Sequence, residues 1–101
     1  MEHDEVHVYL AGPLFGSGRS TENVHKTLKV AEVIRAEGGV PFVPHLFHLW
    51  DTVSPHEADF WLSMDKAWLR KCDVLCVIPG VSPGACMEEA WATEFGIPQV
   101  M

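Results

Sequence analysis

Short apolar, β-branched runs alternate with helical periods from one end of the sequence to the other, and no other feature restricts the fold as much. Val6 to Ala11 (VHVYLA) reads as a strand that stops at Gly12-Pro13, a turn signal. Ser20 or Thr21 can cap a helix to about Glu37, with Val24, Leu28, Ala31 and Ile34 on one stripe and Gly38-Gly39 closing it. Val40 to Val43 is a second short strand. His45 to Pro55 has no sustained period and reads as a loop. A helix is expected over His56 to Lys71, and Asp73 to Pro79 is a continuous apolar run suited to a strand covered on both faces. A Gly-rich loop, a helix over Ala85 to Phe95 and a last short strand from Pro98 to Met101 complete the order. The pattern β-α-β-α-β-α-β predicts an α/β fold with a parallel sheet of four to five strands between two helical layers.

At 101 residues the chain is expected to form one domain over 1–101, because two cores would each be too small. Four tryptophans are many for this length, and large rings can build either a core or a pocket wall. The net charge of −7, with seven Lys and Arg in all, repels polyphosphate backbones and argues against a nucleic acid polymer. One phosphate on a small metabolite is compatible with that charge, since a single Arg or a helix N-terminus can hold it. Three cysteines, all in apolar segments, give no disulfide framework. The opening Met1 to Glu5 is acidic and not apolar, so the expected setting is cytoplasmic. No apolar run approaches the roughly 18 residues of a membrane span.

In a parallel α/β sheet, ligands sit beyond the carboxyl ends of the strands. Those ends are Gly12 to Arg19, His45 to Ser54 and Pro79 to Gly84. Two carboxylates have apolar helical neighbours. Asp65 lies four residues after Trp61 and three before Trp68, so an acid on that face would be held toward its neutral form. A boundary Asp with its head in water explains the spacing equally. Glu88 opens the last helix, sharing a face with Trp91, Ala92 and Phe95. The helix N-terminus favours its carboxylate by about 0.3–1 kcal/mol, so it is expected to stay ionised, as attack on an anomeric carbon requires. An ordinary helix-start glutamate is the plain alternative.

Ser82-Pro83-Gly84 suits a helix start, and Gly84 would also admit a ligand close to the backbone. Arg19 is the only guanidinium in the segment that directly follows the first strand, and the natural candidate for a phosphate. His45 and His48 raise a metal reading, but the spacing lacks the four ligands of a structural zinc site, and no metal or other cofactor is expected. Their imidazoles are expected to border a pocket or face solvent. Cys86 is ascribed to packing. Trp50, Trp61 and Trp91 could stack on a base, although core packing accounts for at least two of them. There is no G-x-G-x-x-G and no Walker lysine.

Three ordered segments together resemble the nucleoside 2-deoxyribosyltransferase family: Tyr9-Leu10-Ala11-Gly12-Pro13-Leu14-Phe15, Asp65-x-x-Trp68-Leu69-x-x-Cys72-Asp73, and Ser82-x-Gly84-Ala85-x-x-Glu88. The resemblance covers nearly the whole chain. It implies a flavodoxin-like fold and cleavage or transfer at the N-glycosidic bond of a nucleoside or nucleoside 5′-monophosphate. In that reading Glu88 is the nucleophile, Asp65 the acid on the base or sugar side and Tyr9 the phenol that orients Glu88. Gly12, Pro13, Phe15, Arg19, Ser82 and Gly84 would line the substrate site, which a homodimer or higher homo-oligomer would complete. The chain is shorter than typical members and would lack a C-terminal contribution to a partner's site. Ser82 stands where nucleoside transferases tend to carry an Asp. It is more like the 5′-monophosphate N-glycosidases, in which a Ser helps to hold phosphate. That branch's Arg after the first-strand Gly has no match; Phe15 stands in that neighbourhood. A non-catalytic nucleotide-binding or sensing module is the reading from another class, and a metal-dependent hydrolase using His45 and His48 is a third.

Overall fold

Alternate residues of the first strand bury on opposite sides of one sheet, and this sorts the rest of the chain into layers. The computed structural model describes residues 5–11, 20–78 and 83–100, with the side chains of 20–23, 48 and 83–86 outside the description. Its strands are β1 (His7–Ala11), β2 (Val40–Phe42), β3 (Val74–Val77) and β4 (Gln99–Val100), all parallel, in the order β2-β1-β3-β4. Its helices are α1 (Ser20–Ala36), α2 (Phe47–Val53), α3 (Ala58–Lys71) and α4 (Pro83–Phe95). Tyr9 stands opposite Phe42 on one side and Leu75 on the other, so β1 is central.

Val8 and Leu10 face one way and pack with Ile78 of the β3 segment and with Ala31, Val30 and Ile34 of α1. Tyr9 and Ala11 face the other way and meet Leu75, Leu69 of α3 and Ala92 of α4. The period of two along β1 and β3 thus makes a three-layer α/β fold, as the alternation predicts. Strand order turns around between β1 and β3, one strand winding outward to β2 and the other to β4. Crevices for ligands form at such a point.

Glycine closes two of the long helices, α1 and α4, whereas α3 ends on an extended Cys72 whose N–H donates to Leu69 O. Gly38 has φ +95°, with Gly38 N–H donating to Arg35 O and Gly39 N–H to Ile34 O. Gly96 has φ +74° and repeats the pattern, with Ile97 N–H donating to Ala92 O. A left-handed residue there costs a side-chain-bearing residue more than glycine, so both helices stop where the sequence places Gly.

One expectation fails. The stretch from His45 to Pro55 is not a loop: a 3₁₀ turn over Pro44–Leu46 leads into α2, and Ser54 N–H closes α2 on Trp50 O. Seven helical residues are too few to show a buried period: Phe47 packs its ring on Phe42, whereas Leu49, Trp50 and Val53 face outward. α4 also begins at Pro83 rather than Ala85, with proline at its first position, where its missing N–H costs nothing. No described helix is long and apolar enough to cross a membrane.

Candidate functional site

Three titratable side chains from three elements meet above the middle of the sheet. Tyr9 is fully buried in β1, and its hydroxyl donates a short hydrogen bond to Glu88 Oε2 of α4. Strand periodicity puts Tyr9 on that face, between Leu69 and Ala92, which are themselves fully buried. Glu88 lies four residues before Ala92 on α4, so the helix turn that seats Ala92 on the sheet also aims Glu88 at it. Trp91 and Phe95 pack against the same core, so the face expected for Glu88 is the buried one.

Asp65 reaches the cluster from α3. It lies one turn before the buried Leu69, and its charge is felt by both Tyr9 and Glu88. Its Oδ1 is buried and has no hydrogen-bond partner among the described residues. A buried carboxylate oxygen without a donor holds its charge poorly. Burial accordingly raises Asp65 from its ordinary 3.8 to about 7. The indoles beside it have partners of their own. Trp68 is half exposed and stacks on Phe42 at 5.0 Å between centroids, and Trp61 Nε1 donates to Asp51 Oδ1 at 2.6 Å.

Glu88 corrects the sequence-based expectation. It was expected to stay ionised at a helix N-terminus, yet its pKa rises to about 8: burial is the main cause and the charge of Asp65 adds to it, against the lowering effect of the Tyr9 hydroxyl. Glu88 is the sixth residue of α4, beyond the first turn in which the helix dipole acts with most effect, and desolvation outweighs it. Tyr9 is pushed far above the usual phenol range by burial first and by the two acids next, so it stays a donor. Two carboxyl groups in one buried site titrate as a pair, and between about 7 and 8 the pair exchanges its protons.

Gly12, Pro13, Phe15, Arg19 and Ser82 lie outside the described residues, and Gly84 falls in the first turn of α4. His45 does not face solvent. It is buried with Nε2 3.5 Å from Thr27 Oγ1 of α1; the side chain of His48 lies outside the description, as does that of Cys86. Among the described residues no group of His, Cys, Asp and Glu is placed to hold a metal ion. Burial raises the Cys72 thiol to about 11, with Asp73 adding to it.

Two residues matter that the sequence reading did not single out. Phe42 places its ring 5.4 Å from that of Tyr9 and stacks with Trp68 at 5.0 Å, and its signal was its register opposite Tyr9. Asp51 accepts from both His56 N–H (2.9 Å) and Trp61 Nε1–H, tying α2 to the start of α3, the helix that carries Asp65. No spacing rule would have found it. A shallow depression of about 310 Å³ lined by Val6, Val33, Ile34, Glu37, Gly38 and Gly39 lies at the opposite, amino-terminal edge of the sheet and takes no part in this cluster.

Comparison with known proteins agrees with the fold. The solved structure of a "2-desoxiribosyltransferase from Leishmania mexicana" matches with a TM-score of 0.68 at 19% sequence identity, covering 93% of this chain and 61% of that one. The chain therefore spans less than two thirds of that protein, and at this identity the likeness is one of fold. No curated protein sequence matches the chain. The family described as Domain of unknown function (DUF7768) has a model that matches residues 6–101, nearly the whole sequence. The chain belongs to that family.

Proposed function

We propose that the chain cleaves or transfers at the N-glycosidic bond of a nucleoside or nucleoside 5′-monophosphate, with Glu88 as nucleophile. The observation that carries this reading is the buried Glu88 carboxyl held by the Tyr9 hydroxyl, with the second carboxyl of Asp65 close enough to perturb both. Glycosidic chemistry needs two carboxyl groups in unequal protonation states. Glu88 has a donor for its anion, whereas Asp65 Oδ1 has none among the described residues. Before a sugar binds, burial nevertheless holds the proton longer on Glu88, at about 8 against about 7 for Asp65, so the mechanism requires that the bound sugar, with positive charge developing at C1′, draw Glu88 into its anion and leave the proton on Asp65.

In the first step Glu88 attacks C1′ and the bond from C1′ to the base nitrogen breaks through an oxocarbenium-like transition state. The departing base takes the proton of Asp65, leaving a glycosyl ester on Glu88 and an ionised Asp65. In the second step water, or a second base, attacks C1′. Glu88 leaves as carboxylate and the proton of the attacking group returns to Asp65. Tyr9 fixes the oxygen of Glu88 that does not attack, and so holds the other toward the sugar. Gly12, Pro13, Phe15, Ser82 and Gly84 are proposed to line the sugar, and Arg19 to meet a 5′-phosphate.

The test is release of free base from a panel of ribo- and deoxynucleosides and their 5′-monophosphates. Release is expected from at least one of them, and Glu88→Ala is expected to lower it by about 1,000-fold or more, the scale on which nucleophile removal acts. Full activity in Glu88→Ala would remove the mechanism. Tight binding of a nucleotide with no release over long incubation would leave a sensing module in its place.

A further inference from the structure

Helix α3, which carries Asp65, begins without a cap of its own: Glu57 at the N-cap position makes no side-chain cap among the described residues. A carboxylate from another helix holds that end instead. Asp51 Oδ1 of α2 accepts from His56 N–H at 2.9 Å and from Trp61 Nε1–H at 2.6 Å. One acceptor therefore ties the entry of α3 to a side chain of its first turn. Trp61 is also walled by rings, with Phe47 at 5.4 Å, Trp50 at 5.3 Å and Phe60 at 4.8 Å between centroids, the last two edge-on. Edge-on contacts fix the plane of a ring as well as its place.

Asp65 stands one turn further along the same face, four residues after Trp61. A helical side chain leans back over the turn before its own Cα, so the Asp65 carboxyl lies toward the Trp61 indole. Trp68, three residues on and stacked on Phe42, leans toward it from the other side. Asp65 thus sits between two indoles whose anchors, Asp51 and Phe42, lie on other elements. The titratable groups that face it are Tyr9 of β1 and Glu88 of α4, while its neighbour Lys66 is turned over the Trp91 ring at 5.6 Å. A carboxyl whose buried Oδ1 has no donor among the described residues keeps its proton only while water is kept from it.

We propose that Asp51 is a positioning residue of the site: its hydrogen bond to Trp61 Nε1 holds the indole as a wall that keeps water from the Asp65 carboxyl. What the wall serves rests on the glycosidic reading, in which Asp65 must carry the proton that goes to the departing base. Asp51 acts here as an acceptor and not through its charge, so an uncharged amide oxygen in its place would serve as well. Loss of the bond lets the indole turn outward and water reach Asp65, which favours the anion.

The experiment is a pH titration of the Asp65 carboxyl carbon by NMR in the isotopically labelled full chain, the signal being identified by its loss in Asp65→Asn. Circular dichroism confirms that each variant is folded. The wild-type midpoint is expected near 7. Asp51→Ala should lower it by about one pH unit or more, toward the ordinary 3.8. Trp61→Phe keeps a ring but loses the N–H, and should move it in the same direction. The two together should go no further than the larger single change, since both remove one bond. Asp51→Asn should leave the midpoint within a few tenths of a unit of wild type. A midpoint unmoved in Asp51→Ala or in Trp61→Phe would overturn the inference, and if one of these variants fails to fold, the other decides. A shift in Asp51→Asn as large as in Asp51→Ala would overturn it too, because the charge of Asp51 would then be the cause. The titration needs no turnover. The expected shifts in a protein that releases no base from any nucleoside or nucleotide would strike the glycosidic reading and leave the part of Asp51 standing.

Discussion

Replacing Asp65 with asparagine should make the protein more stable at alkaline pH while leaving it little changed in acid. Asp65 binds its proton more tightly folded than unfolded, from an ordinary 3.8 to about 7, because burial disfavours its anion. Between those values the folded chain holds a proton that the unfolded chain has lost, so stability falls as pH rises, and above about 8 the loss is complete. Each pH unit of that gap is worth about 1.36 kcal/mol, giving about 4 kcal/mol if the site were fully shielded from water. Asp65 is only partly buried, so solvent screening reduces this to about 2 kcal/mol. Asparagine removes that cost at high pH and also relieves Glu88, whose own rise owes part to the Asp65 charge. The assay is urea unfolding of wild type and variant at several pH values from about 5 to 8.5, followed by tryptophan fluorescence. The two stability curves should separate with rising pH, the variant ending about 2 kcal/mol above the wild type. Parallel curves would refute the reasoning, since they would mean that Asp65 titrates alike in both states.

Tyr9→Phe removes the hydroxyl that, among the described residues, donates to the Glu88 carboxyl, so Glu88 should hold its proton to higher pH; the acid limb of the base-release profile should move upward, and an unmoved limb would deny Tyr9 that part. Asp51→Ala loses two hydrogen bonds that join α2 to α3 and should cost about 1–3 kcal/mol in urea unfolding, whereas Asp51→Asn keeps an acceptor oxygen and should cost less than half as much.

The order of strands and helices was written in the chain because β1 and β3 alternate or run apolar, and because Gly38 and Gly96 fall where α1 and α4 end. Helical spacing alone put Glu88 on the face of Trp91, Ala92 and Phe95, and that face is the one that packs on the sheet. What a local pattern could not carry was the depth to which a side chain is buried. The helix dipole argued for an ionised Glu88, a local effect of under about 1 kcal/mol. Burial, which depends on β1, α3 and α4 closing over one another, reversed the direction. The link between Tyr9 and Glu88 joins residues 79 apart in sequence, and only the parallel sheet brings them within a hydrogen bond. Helix α2 was missed for a related reason: its apolar stripe is present in the sequence, but that stripe points outward, so the structure gives it no core to announce it. Periodicity fixes which residues share a face; packing decides whether that face meets protein or water, and with it the charge each acid can keep.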